Sequence, residues 1–444
     1  MISDLLKVYN SLISEYISFR SISTLDSTLE INKTINWLEK LFLSQGFETE
    51  IIEGYDNPVI ISERIINNKF PTILIYGHYD VQPASEEEWG NDPFVVRKEK
   101  GRLFARGIVD NKGQMLVHLV SVIKLLEESR LKYNIKFLIE GNEETGSPNI
   151  GKLLEKHKSK LKSDLILISD SALLKNHPTI EMSLRGVFNT TLTIKTSSKD
   201  LHSGLFGGAV PNSAQIASEF ISKIRDEKGF IRINGFYEKV INPEEKYLKL
   251  TRDIPFEMDE FSELTGTKKV LLEEGHNFYS QAGLRPTCEV TGIESGYTGI
   301  GYRNSIPSQT IVKFNFRLVP NQEPAEILEK FKKFTRQGLP AYVDFEFSKP
   351  EKTEGTVKPI MLDPNNVHTK KATKLLEKIY HKKVLYDFNG ATLPIVVDFT
   401  NILKTDMLMV ALANEDCNMH AVDENFDLQS LEKALEFSYN FLSS

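Results

Sequence analysis

From Asp4 to Phe19 the apolar side chains Leu5, Leu6, Tyr9, Leu12, Ile13, Tyr16 and Ile17 recur at helical spacing, which predicts an amphipathic helix with one buried face. A second such helix is predicted from Leu29 to Gln45, with Gly46 as its stop. Short apolar runs at Phe47–Ile52, Val59–Ile65 and Thr72–Tyr76 read as strands. Lys112–Leu131 is apolar enough to be a long buried helix. A strand at 135–140, a helix at 149–160 and a strand at 164–169 follow it. Strands alternating with helices predict an α/β domain.

Near residue 184 the pattern changes. Val187–Thr196, Thr310–Val319 and Tyr342–Ser348 alternate as strands with one buried face. Asn212–Arg225 and Pro324–Thr335 read as helices, the second opened by its proline. Residues 227–287 mix acidic and aromatic side chains without a period and read as an elaboration. Beyond residue 357 the first pattern resumes, with a helix at 366–380, strands at 395–400 and 406–412, and a terminal helix at 428–442. The predicted architecture is α/β: a mixed-sheet domain with helices on both faces, built from 1–183 and 357–444, interrupted by an inserted α+β domain at 184–356.

At roughly 150 residues per domain, two or three domains are expected of 444 residues. A net charge of −7 without any basic stripe argues against nucleic acid as a partner. The two cysteines, Cys288 and Cys417, cannot form a disulfide framework, which fits a reducing compartment. No leader pattern opens the chain, and no run approaches the ~18 apolar residues of a membrane span. A soluble cytoplasmic protein with no membrane partner is expected.

The chemistry gathers at predicted strand ends. His78 and Asp80 close the strand from Thr72, the pair Glu143-Glu144 follows 135–140, Asp170 follows 164–169, and His420 follows 406–412. Asp110 precedes the long helix. In open α/β sheets ligands gather beyond the carboxyl ends of the strands, so these groups are expected in one crevice. A His, Asp and Glu set without thiolate suits two divalent ions, zinc first, with manganese or cobalt as rivals. Asp110 can bridge the ions. Glu144 with His78 or His420 would complete one, and Asp170 with the other histidine the second. Asp80 would fix the His78 ring through its other nitrogen. Glu143 is placed as general base and then acid toward a bridging water. Taken singly, each piece also has a bland reading: a hydrogen-bonded strand-end histidine, a helix first turn for Glu-Glu, an N-cap for Asp170. Cys417, three residues from His420, offers a weaker thiolate alternative.

The ordered series Gly77-His-Tyr-Asp80-Val-Gln-Pro, Arg106-Gly-Ile-Val-Asp110-Asn-Lys-Gly, Glu140-Gly-Asn-Glu143-Glu144-Thr-Gly-Ser, Ser169-Asp170, Asp200-Leu-His202-Ser-Gly-Leu-Phe-Gly-Gly, Arg317-Leu-Val-Pro-Asn and Met419-His420 resembles a known family. It is that of the dinuclear zinc metallopeptidases, which includes cytosolic non-specific dipeptidase, carnosinase, glutamate carboxypeptidase, aminoacylase and acetylornithine deacetylase. The dipeptidase branch is the most similar. The resemblance implies His78, Asp110, Glu144, Asp170 and His420 as metal ligands, with Asp110 the bridge and the Asp110–Asn111 peptide cis. It implies Glu143 as base and Asp80 as the residue that orients the histidine. It makes the insert a lid and dimerisation domain, whose His202 reaches the partner's active site in a homodimer. Arg317 would grip a substrate carboxylate, with Asn304 and Thr392 also facing substrate. Two positions depart from the family pattern. The usual Asp-Asp is Asp110-Asn111, and the dipeptidase Gly-Gly-Ser-Ile-Pro is Gly390-Ala-Thr392-Leu-Pro.

The expected activity is metal-dependent exopeptidase cleavage of dipeptides or short peptides with a free carboxylate. An N-acyl amino-acid deacylase, of the acetylornithine deacetylase or succinyl-diaminopimelate desuccinylase type, would use the same metal core. A non-catalytic binding protein on the same fold is the alternative of another class.

Overall fold

The computed structural model describes residues 1–25, 27–348, 356–390 and 393–444. Their backbone contacts divide the chain into two compact units. One comprises Met1–Met182, Leu362–Asp387 and Leu393–Ser444; the other comprises Ser183–Met361 and Phe388–Thr392.

The first unit is built on a nine-stranded mixed sheet. At its centre Asn134–Glu140, Thr72–His78, Leu165–Ile168 and Asp406–Ala411 lie side by side and parallel. Antiparallel strands flank them: Val59–Arg64 on one side and Thr179–Leu184 on the other. The central strands are apolar on both faces because helices cover both, as parallel sheets require. Asn134–Glu140 and Leu165–Ile168 are buried at every position. The helix Lys112–Glu127 is buried almost all round, which explains its weak amphipathic pattern. It packs against Ile2–Ser18 and the terminal helix Leu428–Leu442. Among the described residues no helix is long and apolar enough to cross a membrane.

The second unit carries a four-stranded antiparallel sheet in the order Thr287–Ser295, Gln309–Leu318, Gly186–Lys195, Asp344–Ser348. Alternation along Gln309–Leu318 turns Val312, Phe314, Phe316 and Leu318 into a core shared with Phe220 and Phe331 from the helices Ser213–Ile224 and Pro324–Gly338. Phe316 stacks on Phe188 with ring centroids 4.4 Å apart.

Three readings change. Residues 395–400, predicted as a strand, form the helix Pro394–Asp398 running into a wider turn at Phe399–Leu403. Ile395, Val396 and Phe399 are fully buried, and Phe399 meets the Tyr76 ring at 5.4 Å. A short apolar run buried on all sides carries no period to separate helix from strand, and the leading proline favours the helix. Residues 227–287 contain the helices Glu245–Arg252, Met258–Thr265 and Phe278–Leu284. Thr287–Ser295, not foreseen, is an edge strand with a bulge between Val290 and Gly292, which breaks the alternation.

Phe316→Ala removes a fully buried ring from the second unit's core. A loss of about 3–5 kcal/mol is expected in denaturant unfolding of that unit, with the metal content of the protein unchanged.

Candidate metal centre

The parallel strands end at His78, Glu140, Ile168 and Ala411, and the loops leaving those ends carry the other ionisable groups. His78 is fully buried. Its Nε2 lies 3.1 Å from Asp110 Oδ1 and 3.6 Å from Asp170 Oδ2. On the far side of Asp110, His420 Nε2 lies 2.7 Å from Oδ2 and 3.3 Å from Glu144 Oε2. The two open pairings are thereby resolved. His78, Asp110 and Asp170 form one potential ligand set, Asp110, Glu144 and His420 the other, each with its donor atoms within 4.8 Å of one another. Asp110 offers one oxygen to each.

The donors fit metal ions on their own chemistry. His78 Nε2 and Glu144 Oε1 are buried and make no hydrogen bond. Orphaned buried polar atoms are costly, and a cation in each ligand set would remove that cost. The site is dinuclear, with a histidine and a terminal carboxylate on each side of the shared aspartate.

Neighbouring side chains hold these ligands. His78 Nδ1 faces the Asp80 carbonyl at 3.0 Å and Asp80 Oδ1 at 3.3 Å, which leaves Nε2 for the metal. Asp80 does a second job not foreseen. Its oxygens accept from the Glu143 and Glu144 amides at 3.3 and 3.1 Å, capping the turn Glu143–Thr145. The Asp110–Asn111 peptide is cis, as expected. Asn111 replaces a carboxylate but is well used: its amide donates to Asp170 Oδ1 and to the Ser169 carbonyl, each at 2.7 Å. Gln82 Nε2 donates to Glu144 Oε2 at 2.6 Å.

Glu424 is the residue sequence reasoning missed. It is fully buried, pairs with Arg106 at 2.8 Å, and accepts from the amides of Gly107, Val109 and Asp110 at 2.9, 2.9 and 3.1 Å. One carboxylate thus organises the whole Asp110 loop. It lies four residues past His420, in a stretch without helical or strand period, and nothing in the sequence distinguished it from a surface acid.

The electrostatics express a shortage of positive charge. Burial alone would lower the His78 pKa, but Asp170, Asp110 and Asp80 hold it well above the usual imidazole value. Hydrogen bonds to Asp110 and Glu144 raise His420 to about 10. Burial raises Glu143 well above the carboxylate range; His78 opposes this, and Asp170, Asp110 and Glu144 reinforce it. Imidazolium protons here stand in for the cations that would displace them.

The remaining candidates are placed as follows. His202, exposed, accepts from the Gly204 amide at 3.0 Å, and its strand Leu201–His202 pairs with Ser305–Ile306. Asn304 is exposed and its carbonyl accepts from the Ser203 amide at 3.0 Å. Arg317, on Gln309–Leu318, is half-buried, and burial lowers its pKa. All three belong to the second unit. Thr392 lies outside the described residues. Cys417 is buried, its thiol pushed up by burial, and it belongs to neither ligand set. His118 is a packing residue, held between Ser169 and Ser438 hydroxyls at 3.0 Å each, and burial lowers its pKa to about 3.

Glu424→Gln keeps the volume but places an amide NH₂ against groups that only donate. Metal affinity is expected to fall about 10- to 100-fold, as measured by competition with a chelator, because Asp110 loses its fixed backbone.

Residues 74–444 match peptidase family M20/M25/M40. The Cys-Gly metallodipeptidase of Schizosaccharomyces pombe is 28% identical over 389 residues, covering 85% of this chain and 81% of that protein. The Beta-Ala-His dipeptidase of Homo sapiens is 28% identical, covering 83% of this chain and 74% of that protein. Among solved structures, an M20 family metallo-carboxypeptidase from Sulfolobus solfataricus superposes with a TM-score of 0.82 at 30% identity, over 98% of each chain. The ligand geometry and a match over most of the sequence lead to one assignment: the chain belongs to peptidase family M20/M25/M40.

Proposed function

We propose that this metallopeptidase is a dipeptidase, cleaving the peptide bond next to a residue with a free carboxylate. The observation that carries the reading is Asp110, shared between two ligand sets, with Glu143 Oε2 4.0 Å from His78 Nε2 at their edge. Bound ions, zinc on donor chemistry and manganese or cobalt otherwise, would acidify a water and polarise the scissile carbonyl. His78, Asp110 and Asp170 would hold one ion, Asp110, Glu144 and His420 the other. Glu143 takes the proton of the attacking water and returns it to the leaving amine, from a place 4.0 Å from His78 Nε2 at the edge of the ligand sets. Arg317 clamps the substrate carboxylate with its planar fork. His202 supports the developing oxyanion, and Asn304 and Thr392 contact the substrate. The names of the relatives, Cys-Gly and Beta-Ala-His dipeptidase, support dipeptides over N-acyl amino acids. Cys288 and Cys417, both buried and unpaired, support a cytoplasmic setting.

The test is a panel of dipeptides, their C-terminal amides and N-acyl amino acids, with zinc, manganese and cobalt supplied in turn. Dipeptides are expected to be cleaved best. Glu143→Gln is expected to keep its metal and lose about 10² to 10⁴ in kcat. Cleavage confined to N-acyl amino acids would make the protein a deacylase. Failure on the whole panel with metal bound would leave a binding protein.

We also propose a homodimer through the second unit, with His202 serving the partner's site. Exposed apolar side chains on the loops around His202 support it: Leu205, Phe206, Tyr297, and Ile300 and Tyr302, the last two wholly exposed. Apolar clusters of this kind mark interaction surfaces. Mixing Glu143→Gln subunits with His202→Ala subunits is expected to restore activity, since a mixed dimer holds one site with both groups intact. No recovery in purified heterodimers would place His202 outside the partner's site.

A further inference from the structure

Residues 388–392 belong to the second unit, although the segments on both sides of them belong to the first. Of these, Phe388 and Asn389 end the strand Leu385–Asn389, and Gly390 follows it. Phe388 is buried, and its ring meets Tyr247 edge-on at 5.8 Å. Tyr247 lies on the helix Glu245–Arg252 of the elaboration at 227–287. The end of another of its helices, Phe278–Leu284, abuts the Phe388 backbone. A Cβ built on Gly283 would stand 1.8 Å from the Phe388 carbonyl oxygen, so only glycine permits this approach.

Gly390 is seated on Arg185. A Cβ on Gly390 would stand 2.6 Å from Arg185 Nη2 and 3.0 Å from the Ala282 carbonyl oxygen. Arg185 Nε donates to the Gly390 carbonyl at 3.4 Å, and Nη1 donates to the Arg285 carbonyl at 3.2 Å. Arg285 is itself buried and fixed by Glu273, Nε at 2.7 Å and Nη2 at 2.6 Å. One guanidinium thus ties Gly390 to the anchored end of the elaboration. It also stands within electrostatic reach of Arg317: burial and the Arg317 charge together lower the Arg185 pKa to about 10. The register is consistent, since Val187, two residues on from Arg185, is directly opposite Arg317.

We propose that Arg185 is a positioning residue for substrate binding: it locks Gly390 to the elaboration at 227–287 and so fixes the backbone beside Arg317, where the substrate carboxylate would bind. This rests on the reading of Arg317 as the carboxylate clamp. The elaboration then has a function, as the platform that holds Gly390. The hydrogen bonds from Arg185 to the Gly390 and Arg285 carbonyls stay within the second unit, so its loss acts on binding rather than on chemistry.

The experiment measures kcat and KM separately, on the panel substrate that the wild type cleaves best. Arg185→Met, Gly390→Ala and the double variant are compared with the wild type. Arg185→Met is expected to raise KM by about tenfold or more while kcat stays within about threefold, the signature of lost binding rather than lost transition-state stabilisation. Bound metal is expected to equal that of the wild type. Gly390→Ala, whose methyl displaces the guanidinium without altering charge, is expected to raise KM in the same way. The double variant is expected to be no worse than the poorer single one, because both break one contact. Unchanged KM in both single variants, additive losses, or a fall in kcat accompanied by metal loss would each overturn the proposal. A wild type inactive on the entire panel would overturn the functional reading and this inference with it. An active wild type with an indifferent Arg185→Met overturns this inference alone.

Discussion

Everything in the first unit answers to one constraint: carboxylates packed around Asp110 in a largely buried place. Two like charges 4 Å apart repel by about 4 kcal/mol even at an effective dielectric near 20. Asp110, Asp170, Glu143 and Glu144 face one another across the histidines, so several such terms accumulate. Left alone the loops would spread apart. They are held by aimed donors: backbone amides of the Glu143 turn on Asp80, backbone amides of the Asp110 loop on Glu424, and the Asn111 side-chain amide on Asp170. A site this poor in positive charge is preorganised for cations, because a bound cation relieves the repulsion between its carboxylates that protons otherwise offset.

The parallel sheet makes that convergence affordable in geometry. Strands that run the same way end at the same edge, and each delivers its next residues to the same place. His78 comes directly from a strand end. Asp170 comes two residues after one, and the Glu143 turn three residues after another. His420 needs a longer loop, and it adopts a left-handed backbone with φ of 64° to turn its ring back toward Asp110. The inserted unit has a different logic. Its antiparallel sheet buries one face on an aromatic core and leaves the other to carry polar side chains such as Arg317 and the hydrogen-bonded Asn189–Asn315 pair.

Legibility in the sequence followed these two logics. Strands buried on both faces announce themselves as apolar runs, so the central strands and the ligands beyond them could be located from residue order alone. The ligand pairing could not, because it depends on which loop crosses which, and His78 and His420 were interchangeable until their distances to Asp110 were known. Glu424 was invisible because a carboxylate satisfied by backbone amides leaves no pattern in the side chains around it. The helix at Pro394–Asp398 was misread because its apolar residues are all buried, which erases the period. The strand Thr287–Ser295 was missed because its bulge shifts the alternation halfway along.

The substrate end is harder to read for a reason that follows from the same geometry. Metal ligands are fixed by the sheet, and their residue types are dictated by the ion. The residues proposed to contact substrate, His202, Asn304 and Arg317, belong to the second unit, outside the parallel sheet that fixes the ligand sets. The change from Gly-Gly-Ser-Ile-Pro to Gly390-Ala-Thr392-Leu-Pro illustrates this. The first glycine is retained where a Cβ would stand 2.6 Å from Arg185 Nη2 and would push the guanidinium aside. The constraint on Gly390 therefore comes from Arg185 and from the elaboration, through Ala282 and Gly283. On the proposal made above, selectivity in this chain would depend on residues such as those at 245–285, far in sequence from the metal motifs.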